Sequence, residues 1–350
     1  MENQNQTPHK RRVRYKGKYP KKFEEKYKEL QPEKYKDTIE HVIQKGNTPA
    51  GMHISIMVKE ILDFLNIQPG ETGFDATLGY GGHTKAMLQC LNGKGHIYAT
   101  DVDPEESAKT KKRLAEQGFG EELLTVKLQN FCTIDEIAKE VGGFDFILAD
   151  LGVSSMQIDN PKRGFSFKTD GPLDLRLNQE TGISAAQRLD TISREELAGM
   201  LCENSDEPYC EELAKAITDE IRRGNHIDTT TKLRQVIEKT LDFLPEKEKK
   251  ETIKKTCQRT FQALRIDVNH EFEVLYEFME KLPDALRPGG RVAILTFHSG
   301  EDKLVKKALK AGYKAGIYSD YAKDVIRPSA QECAKNGRAR STKMRWAVKA

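Results

Sequence analysis

A glycine-rich turn sets the strictest limit on how this chain can fold. Residues 74–83 read F-D-A-T-L-G-Y-G-G-H, so that three glycines follow an apolar run and precede a segment with helical character. Glycine is the usual residue where a turn needs a positive φ or where a ligand approaches the backbone closely. A helix that begins there offers unpaired N–H groups and the positive end of its dipole. The pattern is typical of a nucleotide-type pocket after the first strand of an α/β sheet.

A second acidic residue supports the pocket interpretation. Asp101 ends the next apolar run, His96–Thr100, and lies 22 residues beyond Gly79. In nucleotide-binding sheets an acid at about this distance holds ribose hydroxyls. Many glycine turns bind nothing, and this one lacks the dinucleotide pattern G-x-G-x-x-G. Asp101 therefore favours a ligand pocket over a purely structural turn.

Strand and helix patterns alternate as far as Asp150. After a helical pattern that begins at His53 and ends at Leu65, strands are predicted up to Asp75, up to Asp101, over 123–128 and over 144–149, with helices between them. This alternation predicts a doubly wound, Rossmann-like α/β fold with a mostly parallel sheet. Ligands in such sheets lie beyond the carboxyl ends of the strands, where Asp75, Asp101 and Asp150 are all expected.

The alternation stops after Asp150. A polar loop over 152–176 leads into about 80 residues with helical patterns, and a strand pattern returns only at 291–297, after a Pro-Gly-Gly turn. We therefore predict a discontinuous α/β domain over residues 51–164 and 257–350. The all-helical insertion between these parts, residues 165–256, is expected to recognise the substrate.

The net charge of +3 is unevenly distributed. Residues 1–50 contain 13 Lys/Arg and 7 Asp/Glu, a net of +6, which leaves −3 for the rest of the chain. Basic side chains neutralise phosphates, and the aromatic residues among them can stack on bases, so this extension suits an RNA-binding arm. The alternative is a solvated tail that its charge keeps flexible.

Composition predicts a soluble, cytoplasmic protein without a membrane partner. The chain has 37% hydrophobic and 32% charged residues, and no apolar run approaches the ~20 residues of a membrane span. No apolar signal segment follows Met1. The six cysteines show no C-x-x-C spacing and are expected to be reduced thiols. The choice between monomer and homodimer stays open.

Seven motifs, read together, resemble one enzyme family. They are D-A-T-L-G-Y-G-G-H (75–83), D-V-D-P (101–104), D-L-G-V-S-S-M-Q (150–157), R-G-F-S-F-K-T-D-G-P-L-D-L-R (163–176), R-T-F-Q-A-L-R-I (259–266), F-H-S-G-E-D (297–302) and R-A-R-S (338–341). These motifs and their order along the chain resemble those of the small-subunit ribosomal RNA methyltransferase H family (RsmH, also called MraW). The resemblance covers residues 53–350 and leaves out residues 1–50. It implies transfer of a methyl group from S-adenosyl-L-methionine (SAM) to the N4 amine of a cytidine in 16S rRNA, with the small ribosomal subunit as partner.

The resemblance also implies which residues contact SAM. These are Gly81, Gly82 and His83 at the methionine end, Asp101 at the ribose, Phe131 beside the adenine, and Asp150 and Gln157. The residue types agree, since an acid at a strand end can accept two hydroxyl hydrogen bonds and an aromatic ring can pack on a purine. The structural alternatives are a packed helix start for His83 and ordinary core for Phe131.

The proposed chemistry needs an acceptor for the target amine. The lone pair of that amine is delocalised into the ring, and an acceptor such as Asp150 can hold its N–H while the nitrogen pyramidalises. The base must be exposed or flipped out of its stack. Ser154, Ser155 and the loop with Phe165 and Phe167 are candidates to hold it, or else the loop only closes the insertion. We therefore predict Asp150, Ser154 and Ser155 as catalytic residues.

The chain departs from the family motifs on the RNA-facing side. The departures are Met156 in place of proline, Gly300 in place of leucine, C-E-E (210–212) in place of basic residues and K-T-C-Q (255–258) in place of H-P-A-T. Two alternatives therefore stay open: a divergent paralogue that methylates another RNA amino group, and a ribosome-assembly binding module that keeps SAM without turnover. No metal is predicted, and His298, without metal-ligand partner spacing, is expected to be structural or substrate-facing.

Overall fold

The computed structural model describes residues 55–350, and the structural statements below concern that part of the chain. The predicted extension, residues 1–50, lies outside the described residues. The strands of this part are β1 (Thr72–Asp75), β2 (His96–Asp101), β3 (Leu124–Leu128), β4 (Phe144–Asp150), β5 (Leu286–Thr296), β6 (Tyr318–Tyr321) and β7 (Lys343–Lys349). They form one sheet in the order β3-β2-β1-β4-β5-β7-β6. Strand β7 is antiparallel to both neighbours, and β1 to β5 are parallel.

Helices fill the connections between the strands. They are α1 (Val58–Leu65), α2 (Gly82–Leu91), α3 (Pro104–Glu116), α4 (Ile134–Val141), α5 (Ser155–Asp159), α6 (Ala185–Thr191), α7 (Arg194–Ser205), α8 (Cys210–Arg222), α9 (Thr230–Thr240), α10 (Glu246–Val268), α11 (Glu271–Ala285), α12 (Ser299–Lys314) and α13 (Ala330–Lys335). Short 3₁₀ turns follow β3, α5 and α13, at Phe131–Thr133, Pro161–Arg163 and Gly337–Ser341.

Each face of the sheet is covered by helices and contributes to a separate core. Along β4, Ile147 and Ala149 belong to a core with α4, α11 and α12, whereas Phe146 and Leu148 belong to a core with α1 and α2. Successive side chains of a strand point to opposite faces, so this alternation shows that both faces are buried. The predicted doubly wound α/β fold is confirmed.

The helices between β4 and β5 enclose a third core. Leu197, Leu213 and Leu233, from α7, α8 and α9, are fully buried in it together with Leu264 of α10. Helix α10 continues without interruption across the predicted limit between residues 256 and 257. The described residues, 55–350, also belong to one compact unit. The limits predicted for the insertion therefore stay a prediction.

Two predicted element starts differ from the structure. Strand β5 begins at Leu286, five residues before the predicted start, because Leu286 already pairs with Phe144. The Pro-Gly-Gly segment forms an irregularity within the strand, with Gly289 at φ 75°. Helix α1 begins only at Val58, because Met57 before it is left-handed at φ 57°.

Two predictions from composition can be compared with the described residues. All six cysteines lie among them and each is a free thiol, as predicted. Among residues 55–350, every helix is too short or too polar to cross a membrane.

Candidate functional site

The strand order brings three acids to one edge of the sheet. Asp101, Asp75 and Asp150 are the last residues of β2, β1 and β4, which are adjacent and parallel. In the strand pairing, Asp75 lies opposite Ala99 on one side and Leu148 on the other. The predicted position of these acids at the carboxyl ends of neighbouring strands is confirmed. This edge is where ligands of doubly wound sheets bind.

The glycine turn has a shape that its neighbours hold in place. Gly79 and Gly81 have left-handed φ values of 47° and 76°. The hydroxyl of Thr110 donates to the Gly79 carbonyl over 2.7 Å, and a Cβ atom on Gly81 would lie 2.7 Å from the Thr110 methyl group. Gly82 begins α2, and no side chain among the described residues caps that helix. The turn is therefore preorganised, and it presents an uncapped helix start at the acidic edge.

Asp75 supports the turn rather than facing a ligand. Its carboxylate is buried and accepts hydrogen bonds from the hydroxyl of Thr84 (2.6 Å) and from the backbone N–H of Thr77 (3.0 Å). Burial raises the pKa of Asp75, although these hydrogen bonds and the nearby His83 oppose the change. Asp75 thus connects the two ends of the glycine turn.

Asp101 keeps acceptor capacity while it orders the backbone. Its two carboxylate oxygens accept from the backbone N–H of Asp103 (2.9 Å) and of Gly79 (2.8 Å). Burial raises the pKa of Asp101 to about 6, against the effect of these two hydrogen bonds. Each carboxylate oxygen has a further lone pair. The predicted contact with ribose hydroxyls is compatible with this geometry and stays a prediction.

Asp150 and His83 form a pair at the end of β4. Atom Nδ1 of His83 lies 3.4 Å from Oδ2 of Asp150, and the backbone N–H of Asp150 donates to the Thr77 hydroxyl over 2.7 Å. The other carboxylate oxygen, Oδ1, is buried without a hydrogen-bond partner among residues 55–350. Burial raises the pKa of Asp150 to about 6; His83 opposes the rise, while Asp75 and Glu301 add to it. A buried acceptor without a partner can bind a donor from a ligand.

The tautomer of His83 follows from its second contact. Atom Nε2 lies 2.9 Å from the backbone carbonyl oxygen of Ile56. A carbonyl oxygen only accepts, so Nε2 must carry a hydrogen. In the neutral ring Nδ1 is then an acceptor facing another acceptor, Oδ2 of Asp150. A single proton between Nδ1 and Oδ2 would complete this contact.

The predicted residues after β4 serve the start of α5. The hydroxyl of Ser154 accepts from the backbone N–H of Gln157 (3.2 Å), and the Gln157 side-chain oxygen accepts from the backbone N–H of Ser154 (2.9 Å). This reciprocal pair is a capping box. No hydrogen bond of the Ser155 hydroxyl is recorded within residues 55–350, which makes it the freer of the two serines. The roles predicted for Ser154, Ser155 and Gln157 stay predictions.

Asp103 and Arg163 are site residues that the sequence reasoning missed. Asp103 is buried, caps α3 through the backbone N–H of Glu106 (3.1 Å) and accepts from the Gln157 amide (3.1 Å). Its carboxylate also pairs with the buried guanidinium of Arg163 at 2.8 Å. Arg163 in turn donates to the Leu177 carbonyl over 2.6 Å. An Asp directly before the Pro of D-V-D-P was an available signal for such a cap.

Phe131 begins the 3₁₀ turn directly after β3. Its ring meets Phe278 edge-on, with centroids 5.2 Å apart at 89°. It is half-buried and packs against the core on that face. The predicted contact with adenine stays a prediction.

His298 has charged neighbours that its sequence spacing does not reveal. Ligand-type atoms of Glu271, His298 and Glu301 lie within 4.8 Å of one another, because α11 packs beside the start of α12. Both oxygens of Glu271 accept from Arg265, at 2.8 and 2.9 Å. Burial favours protonation of Glu301, but His298 and Arg265 hold its pKa below the usual range. The protein itself thus offsets these acidic charges, and the prediction that no metal binds stays a prediction.

Phe272 accounts for the departure at Gly300. A Cβ atom on Gly300 would lie only 2.6 Å from Cζ of Phe272. The Phe272 ring also meets the His298 ring edge-on, with centroids 5.7 Å apart. An aromatic ring from α11 therefore occupies the space that a leucine side chain at position 300 would need.

Comparisons with known proteins point to one family. A family model described as the MraW methylase family matches residues 50–350. Ribosomal RNA small subunit methyltransferase H 1 of Agathobacter rectalis is 87% identical over 98% of this chain and 98% of its own length. Ribosomal RNA small subunit methyltransferase H of Acidobacterium capsulatum is 37% identical over 85% of this chain and 98% of its own length. The alignment with the 87% identical relative therefore extends over most of residues 1–50 as well.

Solved structures show only distant similarity to this chain. An rRNA methylase from Streptococcus thermophilus aligns with a TM-score of 0.38 and 14% sequence identity. The alignment covers 85% of this chain and 99% of that one. We draw no conclusion from so low a similarity.

Proposed function

The chain belongs to the MraW methylase family and is a methyltransferase that uses SAM, and on this premise we propose that it methylates the N4 amine of a cytidine in 16S rRNA. The small ribosomal subunit is the proposed partner and the cytoplasm the proposed location. The observation that carries the proposal is the carboxylate of Asp150, whose buried Oδ1 lacks a partner among the described residues. An exocyclic amine supplies the N–H donor that this oxygen needs.

The acidic edge offers the groups that SAM requires. The lone pairs left on Asp101 suit two ribose hydroxyls, and the uncapped start of α2 suits the methionine carboxylate. Phe131, held edge-on by Phe278, is proposed to pack beside the adenine. When bound, SAM supplies a methyl group that its sulfonium already activates. The protein therefore has mainly to align the amine and to remove its proton.

Asp150 is proposed to hold and then accept a proton of the amine. A carboxylate that accepts the N–H favours pyramidalisation and makes the nitrogen lone pair available. With a pKa of about 6, most Asp150 is ionised at neutral pH and is a better base than an ordinary aspartate. Its backbone bond to Thr77 fixes its position at the end of β4.

His83 is proposed to share the proton that Asp150 accepts. Its Nε2 is bound to the Ile56 carbonyl, so Nδ1 is the only ring atom that can take part. At 3.4 Å from Oδ2 of Asp150, Nδ1 can receive the proton after methyl transfer. His83 would thus hold the proton beside Asp150 until solvent removes it.

The loop after β4 is proposed to hold the target base. Ser155 has the hydroxyl available for this, whereas Ser154 is engaged in the capping box. Asp103 connects α3, Gln157 and Arg163 and so fixes the loop against the cofactor edge. A flipped base could then be positioned without large rearrangement of the loop.

The proposal is tested by transfer of labelled methyl from SAM to ribosomal RNA. Purified protein is incubated with small and large subunits from cells that lack the activity, and the rRNA is counted after purification. We expect label in 16S rRNA only. Equal label in large-subunit rRNA would overturn the substrate, and no label in either RNA would favour a binding module without turnover.

A second candidate is methylation of a different RNA amino group. The Phe272 ring in the space above Gly300 favours it, because the ring contacts His298, whose partner Glu301 acts electrostatically on Asp150. The two candidates predict the same chemistry at Asp150 but different products. Identification of the methylated nucleoside distinguishes them.

A further inference from the structure

A groove in the helical part of the molecule has features of a nucleotide site. It has a volume of about 410 Å³ and lies where α9 and α10 meet the segment Phe167–Lys168. That segment belongs to the loop that begins after Asp150. The loop that is proposed to hold the target base therefore also forms one wall of the groove. We call it the Lys168 groove.

The rim of the Lys168 groove is basic. Five lysine and arginine residues line it, against two glutamates. Arg234 is paired with Glu238 (2.7 Å) and Lys249 with Asp242 (2.5 Å). Lys168 and Lys250 are both exposed, and neither forms an ion pair within residues 55–350. These two ammonium groups are available to a phosphate. They are notable because residues 51–350 together have a net charge of −3.

The floor of the groove is apolar. Phe167, Ile253 and Cys257 line it, and the Phe167 ring is held edge-on by Phe261 at a centroid distance of 5.8 Å. Burial raises the pKa of the Cys257 thiol to about 12, so the thiol is neutral. An aromatic surface beside free cations is the usual arrangement for an unpaired nucleotide, whose base stacks while its phosphate is neutralised.

We propose that the Lys168 groove binds one unpaired nucleotide of the RNA substrate, other than the nucleotide that is methylated. The base packs on Phe167, and Lys168 and Lys250 contact its two flanking phosphates. An acidic peptide would satisfy the lysines but would leave the aromatic floor without a partner. The inference rests on the proposed function, because it takes the substrate to be RNA. It adds a second contact that holds the strand while the target base is flipped.

The test compares a groove variant with a matched surface variant. The groove variant is Lys168→Ala with Lys250→Ala, and the control is Lys307→Ala with Lys310→Ala, two exposed lysines of α12. Affinity for protein-free 16S rRNA is measured against KCl concentration. Loss of two phosphate contacts should make the negative slope of log K against log salt less steep by about 1.4. It should also weaken binding about tenfold at 0.15 M salt. The control should keep the wild-type slope.

A third variant tests the apolar floor. Phe167→Leu keeps an apolar side chain but removes the stacking surface, so we expect an affinity loss of about tenfold without a change of slope. If the groove variant binds RNA with the same affinity and the same salt slope as the control, the groove proposal is wrong. The proposed function would be unaffected by that result. A wild-type protein that binds neither protein-free 16S rRNA nor small ribosomal subunits would overturn both.

Discussion

Replacing Asp150 by asparagine is predicted to make the protein more stable and far less active. Asn keeps the shape of the side chain and leaves the backbone bond to Thr77 in place. It removes the negative charge and the ability to accept a proton. Loss of a positioned base lowers turnover by roughly 10²-fold or more. Activity and stability should therefore change in opposite directions.

The size of the stability change follows from the pKa of Asp150. Burial raises that pKa from 3.8 to about 6, so the folded state binds the proton more tightly than the unfolded state. Stability is then lost as pH rises between these values, and the full loss of about 3 kcal/mol is present above pH 6. Asn does not titrate. Between pH 5 and 8 the variant should gain roughly 1–2 kcal/mol relative to the wild type, about half of the total.

Urea denaturation of both proteins at pH 5 and pH 8 gives the stability of the variant relative to the wild type at each pH. Effects of pH that are common to both proteins cancel in this comparison. Methyl transfer is measured on the same preparations, and the wild-type rate should rise about tenfold per pH unit below pH 6 and level off above it. A variant that methylates at the wild-type rate would refute the role of Asp150 as base. An unchanged stability difference between the two pH values would refute the raised pKa.

Three further predictions concern SAM binding, the contact between Gly300 and Phe272, and residues 1–50. Asp101→Ala should weaken SAM binding in calorimetry, since two charge-assisted hydrogen bonds worth roughly 1.5–3 kcal/mol each are lost; an unchanged affinity would exclude the ribose contact. Gly300→Leu should lower the free energy of unfolding by about 1–3 kcal/mol, measured by denaturation, because the leucine clashes with Phe272. Phe272→Ala in the same chain should restore part of that stability. If it restores none, the clash is not the cause. Removing residues 1–50 should flatten the salt dependence of RNA binding by about 0.7 log units per lost phosphate contact, with SAM affinity unchanged, and identical slopes would leave the solvated-tail alternative.

The acidic edge of the sheet could be predicted from the sequence because the signals for it are local. An apolar run followed by an acid marks a strand end, and three such runs place Asp75, Asp101 and Asp150 at neighbouring ends once the sheet is parallel. Gly79 and Gly81 of the turn are needed for their left-handed φ values. Strand β5 was placed five residues late, because pairing of Leu286 with Phe144 outweighs the turn signal of Pro-Gly-Gly.

Contacts between distant segments were beyond the reach of the sequence patterns. Glu271 lies beside His298 only because α11 packs beside α12, and Arg265 donates to Glu271 from the end of α10. Similarly, Phe272 fills the space at Gly300 through tertiary packing that no local pattern encodes. The side chains of Ser154 and Gln157 could have been assigned to a capping box from their spacing, which would have left Ser155 as the freer hydroxyl.

The identity of the methylated nucleoside tests the central claim most directly. Small subunits from cells that lack the activity are incubated with the protein and methyl-labelled SAM, and the 16S rRNA is then digested and analysed by nucleoside mass spectrometry. We predict that the label is found in N4-methylcytidine, and that the Asp150→Asn protein produces it roughly 10²-fold more slowly. Label in any other nucleoside, or equal label from the Asp150→Asn protein, would contradict the account.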